Sequence, residues 1–273
     1  MIILFLQELL LFAAAQAIGL FVAIKGKTLA IQFPAEAFEF GLAEVVILAA
    51  VLFLFVYFIR RFSRKSVIFF RAVLALAIFA GSQTVFSFLS ESVFVSFIAA
   101  AGLAWAVLKF KIVFLHDLGV VLAIAGIGGI LGLSLTPMAV IFILIILSFY
   151  DIIAVYKTKH MVKMAEEMIK SRAIFGIVLP RKGQGWIESL ENVRPGEEFM
   201  ILGSGDLVMP LLLAASSAWF HGLRESLFVM FFSFLGLALT YILFVTQKER
   251  RAMAALPPIA AMAIIGYLAA IVL

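Results

Sequence analysis

The chain has 273 residues, of which 65% are hydrophobic and only 14% are charged. Soluble domains are about 45–50% apolar, so this composition predicts an integral membrane protein. The net charge of +5 does not indicate a nucleic-acid partner. The absence of cysteine excludes disulfides, thiolate metal sites and cysteine nucleophiles, and the three histidines are too scattered for a metal motif. No metal or other cofactor is therefore predicted.

Long apolar runs follow one another along the chain, and a helical membrane span needs about 20 such residues. They predict nine spans, near 2–24, 41–59, 67–88, 92–108, 113–133, 137–156, 205–220, 226–246 and 252–272. Residues 118–150 carry no charge and are too long for one crossing, and 132–137 supply a turn between two spans. The first run lacks a basic leader, which favours a retained span over a signal peptide. The predicted fold class is an all-α polytopic membrane protein.

The Lys and Arg residues predict the orientation of these spans. If the N-terminus is cytoplasmic, the cytoplasmic loops carry 17 of the 21 basic residues. The outside loops then carry only Lys25, Lys27 and Arg224, and Arg71 lies within a span. The positive-inside rule therefore predicts a cytoplasmic N-terminus and, with nine spans, a C-terminus outside.

The predicted spans divide the chain into three parts that form one membrane domain. Residues 1–156 hold six spans, residues 157–201 form a cytoplasmic loop, and residues 202–273 hold three spans. Within the loop, 161–172 is typical of an amphipathic helix, and 173–179 is a β-prone run followed by a turn at 180–183. Residues 186–190 are interpreted as a second strand.

Two aspartates lie at the ends of consecutive predicted spans. Asp151 follows the apolar run 137–150, and Asp206 precedes the apolar run 207–220. A carboxyl group in hydrocarbon costs about 2.5–3.5 kcal/mol on insertion scales, which makes such a residue a functional candidate. Asp151 lies six residues before Lys157, about 9 Å along a helix. The two spans meet the same membrane edge in opposite directions, so both carboxyls are predicted at matching depth.

A pair of facing carboxyls can act as an acid and a base. Two carboxylates about 4 Å apart repel by about 4 kcal/mol at an effective dielectric constant of 20, so the pair is expected to hold one shared proton. The ionised member can take a proton from a water that attacks a peptide carbonyl, and the protonated member can donate to the carbonyl oxygen. This chemistry hydrolyses a peptide bond without a metal or a covalent intermediate.

Three short motifs resemble those of one family. Tyr150-Asp151 on one span and Gly203-Ser204-Gly205-Asp206 on the next resemble the paired motifs of the presenilin and signal peptide peptidase family of intramembrane aspartyl proteases. Ala255-Leu256-Pro257 resembles the Pro-Ala-Leu motif that opens the ninth span of that family, with Ala254 in place of the family's first proline. The inward N-terminus resembles presenilin, and the lack of a long N-terminal tail resembles compact prokaryotic homologues.

The resemblance implies an aspartic endopeptidase of a prokaryotic cell membrane that cleaves transmembrane segments of other proteins. It implies that Asp151 and Asp206 are catalytic. It also implies that several neighbours line the site or position the substrate: Tyr150, Gly203, Ser204, Gly205, Ala255, Leu256 and Pro257. The implied partners are transmembrane substrates and the lipid bilayer, with no nucleic acid and no cofactor, and homo-oligomer formation is left open.

A helix shields its peptide bonds, so cleavage requires an unwound substrate. Family behaviour implies that the substrate adds as a strand near the loop between the sixth and seventh spans, and residues 173–179 and 200–202 are predicted to supply that edge. On this hypothesis, Ile177→Pro impairs cleavage and leaves folding intact.

Three other functions are compatible with part of the sequence. A proton- or cation-coupled transporter explains two buried acids but does not explain the glycine motif together with the Leu-Pro element. A prepilin-peptidase-like aspartyl enzyme also uses a Gly-x-Gly-Asp motif, but the span count and the Leu-Pro element favour the first family. A noncatalytic membrane scaffold would tolerate Asp→Asn at both positions.

Other polar residues within or near spans are weaker candidates for a direct role: Glu8, Glu44, Arg71, His116 and Asp117. Gly126, Gly129 and Gly132 share one stripe of a predicted helix, and their spacing predicts close packing of helices.

Overall fold

A computed structural model describes residues 2–28, 66–158, 160–194, 198–247 and 252–273. The helices are α1 (Ile2–Thr28), α2 (Ser66–Leu89), α3 (Val93–Phe110), α4 (Val113–Ser134), α5 (Pro137–Ile152), α6 (His160–Ser171), α7 (Ser204–Phe220), α8 (Leu223–Thr246) and α9 (Leu256–Val272). A π-helix, Ile153–Lys157, continues α5, and two strands, β1 (Gly176–Pro180) and β2 (Phe199–Gly203), form an antiparallel hairpin.

The helices agree with the predicted spans wherever the structure describes the chain. Among the described residues, six helices are long and apolar enough to cross a membrane: α1, α2, α3, α4, α5 with its π-helical extension, and α8. Helices α7 and α9 are also apolar but have only 17 residues each. The predicted span 41–59 lies outside the described residues.

The division of the apolar stretch 118–150 into two helices is confirmed, and its cause is local. Thr136 has an extended backbone, and its hydroxyl accepts a hydrogen bond from the Ala139 N–H (3.3 Å). Pro137 occupies the first turn of α5, where its missing N–H leaves no helical bond unmade. A capping threonine followed by proline therefore ends one helix and starts the next.

Helix α4 lies at the centre of the molecule and packs against α1, α2 and α7. Its glycine stripe permits this, because a Cβ at Gly126 would overlap the Gly81 backbone of α2. A Cβ at Gly129 would lie 2.6 Å from the carbonyl oxygen of Gly19 on α1, and one at Gly132 would overlap Ala215 on α7. The predicted role of these three glycines in helix packing is confirmed.

The segment between α5 and α7 differs from the sequence prediction in its strands. Helix α6 forms within one residue of the predicted bounds, but β1 begins later than predicted and includes Pro180. The second strand predicted at 186–190 is wrong, because Gly183–Ile187 form a 3₁₀ helix in which Gly185 packs directly against Pro180. The true partner of β1 is Phe199–Gly203, with Ile177 opposite Leu202.

Candidate active site

Asp151 lies in the last turn of α5, just before the π-helix, and only 7% of it is exposed. Its Oδ2 accepts a hydrogen bond from the backbone N–H of Leu256, the first residue of α9, at 3.3 Å. The first N–H groups of a helix have no partner within the helix, so this bond satisfies one of them with a carboxyl oxygen. The predicted Leu-Pro element and Asp151 therefore meet directly.

Asp206 lies in the first turn of α7, and β2 leads into this helix without a loop. Gly203 ends the strand with an extended backbone (φ −64°, ψ 145°) and caps the helix. A Cβ at Gly203 would lie 3.1 Å from Asp206 Oδ2, closer than most side chains approach one another, so the absence of a side chain leaves room for this carboxyl. A Cβ at Gly205 would meet no atom of the described residues within 4 Å.

The three helices that carry these motifs are packed together. Helix α5 contacts α7 and α9, and α7 contacts α9. Asp151 in the last turn of α5 and Asp206 in the first turn of α7 therefore lie on helices that pack against each other. Two carboxyl groups at the junction of three helices, one of them bonded to a helix N-terminus, can share a proton and act as acid and base.

Comparison with known proteins identifies the family of this chain. The family model described as signal-peptide peptidase, presenilin aspartyl protease matches residues 7–273. The chain belongs to this family. It is accordingly a multi-pass integral membrane protein and an intramembrane aspartyl protease, and the match favours this activity over the transporter alternative.

Solved structures agree with the family match. A presenilin family intramembrane aspartate protease crystallised in space group C222 has a TM-score of 0.68, with 23% identity over 98% of each chain. A presenilin family intramembrane aspartate protease in space group P2 has a TM-score of 0.66, with 25% identity over 98% of this chain and 97% of that one. No curated protein sequence matches this chain significantly.

The other site residues predicted from the family motifs differ in their surroundings. Leu256 is buried, and the carbonyl oxygen of Ala255 accepts a hydrogen bond from the Thr240 hydroxyl of α8 (3.4 Å). Pro257 and Ser204 are partly buried, at the starts of α9 and α7. Tyr150 is 45% exposed although Asp151 beside it is buried, so its site-lining role stays a prediction.

Ala254, which replaces the family's first proline, is buried just before α9. Its backbone has no regular secondary structure in the structure. Nothing in the structure explains why alanine stands at this position.

One polar contact of the site involves a residue outside the sequence motifs. Gln16 on α1 is fully buried, and its Nε2 donates to the carbonyl oxygen of Leu207, the residue after Asp206, at 3.1 Å. Leu207 lies in the first turn of α7, and the Gln16 side chain fixes α1 beside that turn. An amide within an apolar stretch of α1 was the only sequence signal for this contact.

His116 and Asp117, two of the polar span residues named from the sequence, lie on α4 and bind the hairpin. His116 Nε2 lies 3.1 Å from the carbonyl oxygen of Gly176 and therefore carries the hydrogen, and Asp117 Oδ1 accepts from the Val178 N–H at 2.8 Å. Both side chains are buried. Strand β1 pairs with β2, and β2 leads into α7, which carries Asp206. These two hydrogen bonds therefore fix the hairpin that precedes Asp206.

Asp117→Ala is expected to destabilise the protein, because the buried N–H of Val178 then lacks an acceptor. An unsatisfied buried group costs about 1–3 kcal/mol. Asp117→Asn keeps an oxygen acceptor and is expected to retain both stability and cleavage. Thermal unfolding in detergent and cleavage of a reconstituted substrate check both variants. Equal loss of activity in the two variants would contradict a purely positioning role for Asp117.

Proposed function

We propose that Asp151 and Asp206 are the catalytic pair with which this protease hydrolyses peptide bonds inside transmembrane segments. The observation that carries the proposal is the packing of α5, α7 and α9 against one another, with Asp151 bonded to Leu256 at the start of α9 and Asp206 in the first turn of α7. One aspartate takes a proton from water as the water oxygen bonds to the peptide carbon. The other donates its proton to the carbonyl oxygen, and collapse of the tetrahedral intermediate breaks the C–N bond as the amine is protonated.

The proposal includes the membrane arrangement predicted from the sequence. The N-terminus is cytoplasmic, nine spans cross the membrane of a prokaryotic cell, and the C-terminus lies outside. Residues 1–156 and 202–273 are the two membrane-embedded parts, and 157–201 form the cytoplasmic loop. The substrates are single transmembrane segments of other proteins, and Gly203, Ser204, Gly205, Tyr150, Ala255 and Pro257 surround the bound peptide.

The hairpin supports a particular binding place for an unwound substrate. One of its two outer edges, that of β1, already has hydrogen-bond partners. Just before β1, the carbonyl oxygen of Phe175 accepts from the Ser204 N–H (3.1 Å), so the odd-numbered residues of β1 direct their backbone groups towards β2. Gly176 and Val178 direct theirs away from β2, where His116 and Asp117 bind them. The outer edge of β1 is therefore occupied.

The outer edge of β2 is the remaining edge of this two-stranded sheet. The register pairs Leu202 with Ile177 and Met200 with Leu179, so the even-numbered residues of β2 face β1. The backbone groups of Phe199, Ile201 and Gly203 point the other way. A substrate strand added along this edge runs towards Asp206, three residues beyond Gly203.

Cleavage by the purified full-length chain in liposomes tests the proposed function. A peptide with one transmembrane segment is expected to be cut within that segment, and a transition-state-like inhibitor of aspartyl proteases is expected to block the reaction. A transporter with two intramembrane carboxylates would instead move protons or cations across the liposome membrane and leave the peptide intact. Intact peptide after prolonged incubation, together with ion flux that depends on Asp206, would refute the protease.

A further inference from the structure

Glu8 is a carboxyl residue in the buried stripe of α1. None of its surface is exposed, and neither Oε1 nor Oε2 has a hydrogen-bond partner among the residues that the structure describes. The residues one turn away on either side, Leu4 and Phe12, are apolar core residues. A buried polar group without a partner destabilises a fold, and replacing it with an apolar group of similar shape is neutral or favourable. The packing of α1 thus gives no reason for a glutamate at this position.

The position of Glu8 in the fold places it beside the catalytic pair. Leu4 and Phe12 belong to the same core cluster as Leu202 and Leu207, which flank the segment from Gly203 to Asp206. Helix α1 packs against β1 and α7, and Gln16, two helical turns beyond Glu8, donates to the carbonyl oxygen of Leu207. Glu8 therefore lies on the part of α1 that packs beside the hairpin and the start of α7.

Helix α8 also packs against this part of α1. Phe5 contacts Tyr241 with ring centroids 4.9 Å apart, and Phe12 contacts Phe234 at 5.6 Å. Tyr241 interacts electrostatically with Glu8 and with Arg181, which follows β1. Among the described residues, the ionisable groups near Glu8 are Asp206 on α7 and Tyr241 on α8, with Arg181 beyond Tyr241.

We infer that Glu8 is a positioning residue for the cleavage reaction and acts through Asp206. The inference rests on the proposed catalytic role of that aspartate. A carboxyl at this position offers a hydrogen-bonding group to Asp206 through one water, because neither of its oxygens has a direct partner among the described residues. It thereby holds the Asp206 carboxyl in the orientation that faces Asp151 and the scissile carbonyl. Glu8 gains and loses no proton in the reaction, so an amide can replace it.

Three substitutions separate this role from a structural one. Glu8→Leu is expected to lower kcat by about 10- to 100-fold, because small misplacements of a reacting group have effects of that size. KM is expected to stay unchanged, and the protein is expected to unfold at the same or a higher temperature than the wild type. Glu8→Gln keeps a donor and an acceptor and is expected to retain kcat within about threefold. Gln7→Leu, a substitution of the neighbouring polar residue, is the matched control and should leave kcat unchanged.

The outcomes distinguish this inference from the proposed function. One outcome refutes only the role of Glu8: the wild-type chain cleaves, the Asp206→Asn variant is inactive, and the Glu8→Leu variant is fully active. A loss of kcat in Glu8→Leu that is accompanied by a lower unfolding temperature and is not rescued by Glu8→Gln would also refute it. If the wild-type chain does not cleave, the proposed function itself fails. A stable, slow Glu8→Leu variant and an active Glu8→Gln variant would support the inference.

Discussion

Asp151→Asn and Asp206→Asn are each expected to abolish cleavage and to leave the fold intact. Asparagine has the shape of aspartate but cannot exchange a proton, and each aspartate performs one half of the proton transfer. General acid–base catalysis contributes about 10²–10⁴-fold, so each variant should lose about 10³-fold or more in kcat. In Asp151→Asn the amide oxygen can still accept the Leu256 N–H, so the start of α9 should be preserved.

Cleavage of the single-span peptide in liposomes and thermal unfolding measure these effects together. The double variant is expected to be no slower than either single variant, because residues that act as one unit are not additive. Asp117→Asn is the matched control, since Asp117 is also a buried aspartate but binds β1 instead of facing the pair. Full activity in either Asp151→Asn or Asp206→Asn would show that the pair is not the acid and base.

The membrane helices could be predicted because each depends on local composition. Continuous apolar runs predicted α1 to α5 and α7 to α9, and the turn at 132–137 predicted the break between α4 and α5. The partner strand of β1 was harder to predict, because strand pairing depends on residues distant in sequence. Trp186 and Ile187 favour a strand by propensity, but the adjacent glycines fold into a 3₁₀ helix over Pro180. Tertiary contacts therefore decided where the second strand forms.

The aspartate pair could be predicted from topology, whereas the contacts around it could not. Matching depth on consecutive spans needs only the order and direction of helices, which the sequence carries. The bond from Leu256 to Asp151 depends on where the backbone turns before α9, and the bonds from α4 to β1 join residues about 60 positions apart. The sequence shows Glu8 as an acid in an apolar run, but only the packed structure shows which residues of α7 and α8 lie near it.

The position of Ile177 changes the experiment that tests strand addition. Ile177 is fully buried, lies opposite Leu202 and directs its backbone groups towards β2. Proline there removes a hydrogen bond of the hairpin itself, so the expectation that Ile177→Pro leaves folding intact is not supported by its place in the sheet. That variant is instead expected to lower the unfolding temperature, and loss of cleavage in it would not identify the substrate edge.

Ile201→Pro is expected to reduce cleavage by about tenfold or more with little change in the unfolding temperature. The backbone N–H of Ile201 points away from β1, so proline there keeps the hairpin but removes a donor from the outer edge of β2. A substrate strand bound along this edge loses a main-chain hydrogen bond next to the aspartates and is held less well for attack. Kinetics with the single-span peptide measure the effect, which should appear in both KM and kcat.

Ile201→Ala is the matched control, because it shortens the same side chain but keeps the N–H. Its cleavage should stay close to that of the wild type if the edge binds substrate through the main chain. Wild-type cleavage in a correctly folded Ile201→Pro variant would show that the substrate does not add to β2. Since His116 and Asp117 already occupy the outer edge of β1, the substrate would then have to reach Asp206 without extending the sheet.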